Sequence, residues 1–209
     1  MTIKQIISGA LFASALLALP VTASADLAGL AIGGRVGGYG FRQQASSTGE
    51  TSRWDACRMN GIGVFAQKEL PGPFFAEAGL DAYFSEDFPI SSESNSEYET
   101  PLDRLSALTT VAAGVRMFPR AIVSPYVQIG IGAEVTRVRA PKLALEESRV
   151  LPMGFFGLGA ELHASKRLSL GANLRVNLMG YFDDDALMTN LDPEAEIAAQ
   201  GQFYAKYSL

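Results

Sequence analysis

Two residue types that build many enzymatic and metal centres are nearly missing from this 209-residue chain, which has one cysteine, Cys57, and one histidine, His163. A lone thiol excludes an internal disulfide, so the fold has to hold without a covalent staple. One Cys and one His cannot assemble a transition-metal site of the usual kind inside one chain, and no cofactor or metal is expected. Also missing, after the first two dozen residues, are any apolar run of about eighteen residues and any sustained helical periodicity, which excludes a membrane crossing made of helices. Basic residues are in the minority, 17 Lys and Arg against 22 Asp and Glu, which argues against a nucleic-acid partner.

What is present begins with MTIKQ, the apolar run IISGALFASALLAL and then PVTASA. That charged, apolar and small-residue order is the pattern of a cleavable signal peptide, with the cut expected after Ala25. The run from Ile6 to Leu19 is too short to be a retained spanning helix. No cysteine follows the cut, which argues against a lipid-anchored lipoprotein. The chain is thus divided into a signal peptide, 1–25, and one domain, 26–209. Loss of Lys4 leaves 16 basic residues against 22 acidic ones, a formal charge of −6.

Within the domain, alternation with period two takes over. In RLSALTTVAAGVRM, Leu105, Ala107, Thr109, Val111, Ala113, Val115 and Met117 share one face, and Arg104, Ser106, Thr110, Gly114 and Arg116 the other. YVQIGIGAEV, LSLGANLRVNL and IAAQGQFYAKYSL repeat the pattern. Weaker strands are LAGLAIGGRVGGYGF, RMNGIGVFAQK, whose facing is ambiguous, FFAEAGLDAYF and VLPMGFFGLGAELH, which makes eight. Each has about ten to fifteen residues, enough for the nine to eleven that a tilted strand needs to cross the hydrocarbon layer. The connections alternate in length: long at Gln43 to Ala56, Ser85 to Asp103, Arg139 to Arg149 and Asp183 to Glu196, short at Glu69 to Pro73, Pro119 to Pro125 and Ala164 to Lys166. Short periplasmic turns and long outer loops are the asymmetry of outer-membrane barrels.

A soluble lipocalin-like ligand-binding barrel also alternates, but turns its apolar face inward. Export, loops long at one end only, and a wet face of Gly, Ser, Thr, Asn and Gln with few charges favour the lipid-facing arrangement. In lipid, every backbone donor and acceptor must be satisfied internally, which among sheets only a closed one achieves. The expected fold is therefore all-β, an eight-stranded antiparallel up-and-down transmembrane β-barrel. So narrow a barrel is filled by its own side chains, which disfavours a pore. Its luminal charges should pair: Glu77, Asp81, Glu134 and Glu161 with Arg35, Arg116, Arg175 and Lys206, the first expected pair being Glu77 with Arg116. A proton or ion path along these charges is the competing reading. Two aromatic girdles are expected, Phe74, Phe75, Phe118, Tyr126 and Tyr207 at the periplasmic end and Tyr39, Phe41, Tyr83, Phe84, Tyr181 and Phe182 at the other.

With its leader, the opening LAGLAIGGRVGGYG, the turn LHASKRLSLGANLRV and the terminal strand FYAKYSL, the chain resembles the small eight-stranded outer-membrane barrels like OmpX and the membrane domain of OmpA. The resemblance covers Asp26 to Leu209 and implies a cell outer-membrane location, the barrel-insertion machinery as a partner, and contact with outer-membrane lipid and lipopolysaccharide. That family's last strand usually finishes in an aromatic residue; here Leu209 stands there, with Tyr207 and Phe203 keeping the alternation. No peptidoglycan-binding domain follows, so cell-wall tethering is not expected.

Some such barrels are lipid A deacylases, which resemble serine hydrolases with a His-x-Ser motif. His163-Ala164-Ser165 matches superficially, and Glu161 shares the His163 face, but Ser165 falls in a predicted periplasmic turn, far from the outer leaflet. No catalytic residues are expected. The acidic loops, SEDFPISSESNSEYETPLD and DDDALMTNLDPEAE, lack the spacing of an EF-hand loop. Arg137, Arg139, Lys142 and Arg149 surround the third outer loop, where cations could meet lipopolysaccharide phosphates. The resulting expectation is a monomer with a structural or surface-interaction role, such as membrane integrity or adhesion. An outer-membrane lipid A-modifying enzyme is the alternative.

Overall fold

A computed structural model describes residues 28–41, 57–88, 102–140, 145–179 and 197–209. The signal-peptide segment, Lys142, Tyr181, Phe182 and most of the acidic loop residues lie outside them. Eight strands form: β1 (Leu30–Phe41), β2 (Cys57–Glu69), β3 (Phe74–Phe88), β4 (Leu102–Arg116), β5 (Val123–Ala140), β6 (Leu145–His163), β7 (Leu168–Met179) and β8 (Ile197–Ser208). Each pairs antiparallel with its sequence neighbours, and β8 returns to β1, from Ala31 opposite Ser208 to Phe41 opposite Ala198. The barrel is closed, so no sheet edge is left over. Between β2 and β3 the chain reverses in four residues, helped by Gly72 at φ 82°, a backbone conformation that glycine adopts without a Cβ penalty.

Side chains sort by parity. Ile32, Ile62, Leu80, Leu105, Ile131, Phe156, Leu174 and Phe203, one from each strand, are 44–70 % exposed on the outer surface. The lumen takes the polar and charged row. A water-soluble barrel would reverse this order, so the lipocalin-like arrangement is excluded and the apolar band is built for hydrocarbon. The ambiguous strand β2 resolves with Met59, Gly61, Gly63, Phe65 and Gln67 inside and Ile62, Val64 and Ala66 outside.

The lumen has room for large side chains because glycine stands opposite many of them. Phe65 faces Gly33, Phe75 faces Gly114, Tyr83 faces Gly61, Tyr126 faces Gly159, Phe155 faces Gly130 and Tyr204 faces Gly171, each across one ladder rung. A methyl group at any of these glycines would overlap the ring opposite. The rings thereby cover exposed glycine backbone, a device that also pins register.

Two expectations need correction. The third outer connection is short: β5 and β6 run to 18 and 19 residues and stay paired up to Ala140 opposite Leu145, leaving only residues 141–144 between them. Much of the chain that reads as loop is a continuing ladder, with Arg139 opposite Glu146 and Arg137 opposite Ser148. The aromatic girdles are also thinner than expected. Phe75, Tyr126, Tyr39 and Tyr83 are buried in the lumen, because each lies on the parity of an inward neighbour two residues away. Phe74, Phe118 and Tyr207 remain outside at the short-turn end and Phe84 at the other.

Candidate functional site

The lumen is the most heavily built part of the molecule, and its charges form three groups. In the middle, Arg35 on β1 grips Asp81 on β3 with two bonds, Nε to Oδ1 at 2.6 Å and Nη2 to Oδ2 at 2.7 Å. Its third donor, Nη1, reaches Glu77 Oε1 at 2.8 Å. Arg175 crosses the lumen from β7 to the same Glu77 oxygen at 2.6 Å. Gln202 donates to Asp81 at 3.1 Å. A planar guanidinium with a fork of donors suits such a bidentate grip.

Toward the long-loop end, Glu134 on β5 accepts from Arg104 Nη2 at 3.0 Å, Ser106 Oγ at 2.7 Å and Tyr39 OH at 2.6 Å, and from Thr136 Oγ1. Toward the short-turn end, Glu161 on β6 holds Lys206 at 2.8 Å, with Arg116 at 3.6 Å. Gln67 Oε1 accepts from both Lys206 Nζ and Arg116 Nη2. Arginines also stack on luminal rings: Arg35 lies 5.3 Å from the centre of Phe65, Arg116 4.8 Å from Phe75 and Arg175 4.9 Å from Phe155. Such contacts gain strength where water is excluded.

All eight charges picked from alternation lie inside, each less than a tenth exposed. The expected Glu77–Arg116 pair does not form. Glu77 stands opposite Ala112, whereas the Arg116 amide bonds the Pro73 carbonyl, four residues nearer the turn. Four residues of strand are about 13 Å, so each charge finds other partners. Arg104 completes the Glu134 site and was not among the expected pairs, although its place on the Ser106 face marks it as inward. Apolar side chains seal the arrangement at both levels: Tyr39, Met59, Tyr83, Leu108, Leu151, Met153 and Met179 pack in one cluster. Phe65, Phe75, Tyr126 and Tyr204 form the other. Within it Phe65 meets Tyr204, and Phe75 meets Tyr126, edge to face at 5.6 Å.

The hydrolase-like triplet does not assemble. Ser165 Oγ accepts from the amides of Arg167 at 3.2 Å and Leu168 at 3.0 Å, which makes it the cap of the β6–β7 turn. His163 instead approaches Ser169. Its Nδ1 lies 3.1 Å from Ser169 Oγ and 3.3 Å from Glu161 Oε1. A nucleophile–base–acid relay needs serine and carboxylate on opposite ring nitrogens, and here both share one. Among the described residues no group of three His, Cys, Asp or Glu side chains is placed to hold a metal.

Of the four cations expected around the third outer loop, Arg137 is exposed on the outer surface of β5. Arg139 lies two positions on in the same strand, opposite Glu146. Position 149 pairs with Thr136 in the same ladder, and Lys142 lies outside the described residues.

The arrangement has relatives. A family model described as outer membrane protein beta-barrel domain matches residues 9–202. The structure is similar to that of Neisserial surface protein A, with a TM-score of 0.61 at 9 % identity over 87 % of this chain and 98 % of that one. It is also similar to the N-terminal β-barrel domain of Pseudomonas aeruginosa OprF, with a TM-score of 0.51 at 11 % identity over 85 % and 96 % of the two chains. At such identities the likeness concerns the fold. No curated protein matches the sequence.

Proposed function

Since the chain belongs to the outer membrane protein β-barrel domain family and is a protein of the outer membrane, we propose that it is a closed, non-catalytic barrel that supports the membrane and meets its surroundings through the long-loop end. The observation that carries this reading is the filled lumen, in which Arg35, Glu77, Asp81 and Arg175 bond across the interior between two apolar seals. Charges in a narrow interior are tolerable only when paired, and these pairs act as a plug in place of an ion path. The shared Nδ1 of His163 and the capping role of Ser165 speak against lipid A chemistry.

The reading includes export with cleavage after Ala25, insertion by the barrel-inserting machinery, and a monomeric state. The test is the gel mobility of the outer-membrane fraction with and without boiling, combined with conductance across a planar bilayer. A compact heat-sensitive band and no steady channel are expected. A soluble periplasmic protein, or a sustained conductance, would overturn the reading.

Outer-membrane lipid and lipopolysaccharide surround such a barrel. For the phosphates of lipopolysaccharide we retain Arg137, Arg139, Lys142 and Arg149 as contacts. Replacing the four by Gln should weaken lipopolysaccharide association roughly two- to fivefold, the range of exposed ion pairs. Unchanged association would refute the assignment.

A further inference from the structure

The lipid-facing surface is uneven. On β5, β6 and β7 it is bulky, with Ile129, Ile131, Phe156, Leu158 and Leu174 projecting outward. Across β8, β1, β2 and β3 large side chains such as Ile32, Val64, Leu80 and Phe203 project as well, but small residues stand between them. Ala205 stands opposite Gly34, and Ala66 stands opposite Ala78. These four small residues sink a groove of about 720 Å³ into the wall, bounded by Val64, Leu80, Val111, Leu168 and Tyr207. The space above Gly34 is open, since a Cβ there would meet only the Gly63 carbonyl, 3.9 Å away.

One end of the groove is cationic. Tyr207, which forms part of its wall, accepts a hydrogen bond from Arg167 Nη1 at 3.0 Å, and the guanidinium lies 6.0 Å from the ring centre. Arg167 is exposed in the β6–β7 turn. Lys68 continues the outward row of Ala66 two residues further along β2, with Nζ bonded to the Ala28 carbonyl at 2.6 Å. The Leu209 amide, bonded to Leu30 at 2.9 Å, fixes the strand end between them. Short turns lie on the periplasmic side of such barrels, so these cations stand at the level of phospholipid phosphates in the inner leaflet.

We propose that this groove binds one diacyl phospholipid of the periplasmic leaflet, an acyl chain lying over Gly34, Ala66, Ala78 and Ala205 and the phosphate resting against Arg167. The inference rests on the membrane placement proposed above. A hollow suits a flexible chain, whereas a second barrel would bring a convex wall to it. Apolar contact with the trough supplies the attraction, each methylene adding to it, and the Arg167 fork gives the phosphate a fixed partner.

The test is native mass spectrometry of the folded protein extracted from vesicles of phosphatidylethanolamine and phosphatidylglycerol. One retained phospholipid per barrel is expected. Filling the groove with Gly34→Leu and Ala66→Leu should lower retention about tenfold, the consequence of losing a few methylene contacts. Arg167→Gln should lower it by up to about fivefold, and Ile129→Ala on the opposite wall, on β5, should leave it unchanged. Full retention by the filled groove, or none by the parent protein, would overturn the proposal. So would a parent dimer that the filling abolishes, which would make a second copy the occupant. A barrel that folds in vesicles and shifts on heating but carries no lipid defeats the groove alone. A chain that does not fold there defeats the membrane placement as well.

Discussion

Leu174 and Arg175 are neighbours in sequence, yet the leucine is 69 % exposed and the arginine 1 %. The same reversal separates the two faces of every strand. On the outer face an apolar side chain gains nothing by burial, because hydrocarbon already surrounds it. On the inner face a charge survives only by finding its opposite, as Arg35 does in Asp81 and Glu77. The comparison teaches that exposure has no fixed meaning until the solvent is named. It also teaches that sequence neighbours can have unequal tolerance to the same change.

The largest break in that comparison should come from Arg35→Ala. It leaves Asp81 without its bidentate partner inside the lumen and should cost about 3–5 kcal/mol, read as a lower urea midpoint for the barrel in phospholipid vesicles by circular dichroism. Next comes a charge on the wrong side. Ile131→Lys, in the middle of β5, should cost about 2–4 kcal/mol in lipid, and a lysine there that leaves the midpoint unchanged would contradict the assignment of this face to hydrocarbon. The third is one substitution made twice. Gly171→Val pushes into the Tyr204 ring and should cost about 1–3 kcal/mol, whereas Gly34→Val opens onto lipid and should stay within about 0.5 kcal/mol. Equal losses at the two glycines would erase the distinction between the faces.

The alternation of β4, β5, β7 and β8 is plain in the sequence because Ile, Val and Leu alternate there with polar residues, and it carries the inward position of Arg116, Glu134, Arg175 and Lys206, while the weaker alternation of β1, β3 and β6 carries that of Arg35, Glu77, Asp81 and Glu161. It faltered in β2, where Met59 and Phe65 are luminal and Asn60 and Lys68 sit on the outer row. Large apolar residues inside blur the pattern, and only the glycine opposite each ring explains why they fit. Partner choice was less legible still. Arg175 meets Glu77 across the lumen from a strand four places away, so no local spacing encodes the pair. Strand ends misled for a related reason: position near an interface suggests a girdle, but parity decides, and Tyr39, Phe75, Tyr83 and Tyr126 are on the inward parity.

The β1–β8 seam has a kinetic consequence. Seven seams join strands adjacent in sequence and can form as hairpins or by simple addition; the eighth brings Ala31 to Ser208. Contacts at such separation are slow to form because loop-closure entropy comes due before any bond repays it. Until then the sheet has two open margins, each able to pair with another chain. A barrel is therefore open to such pairing for as long as its closing seam takes to form, a cost in time that the finished structure does not show.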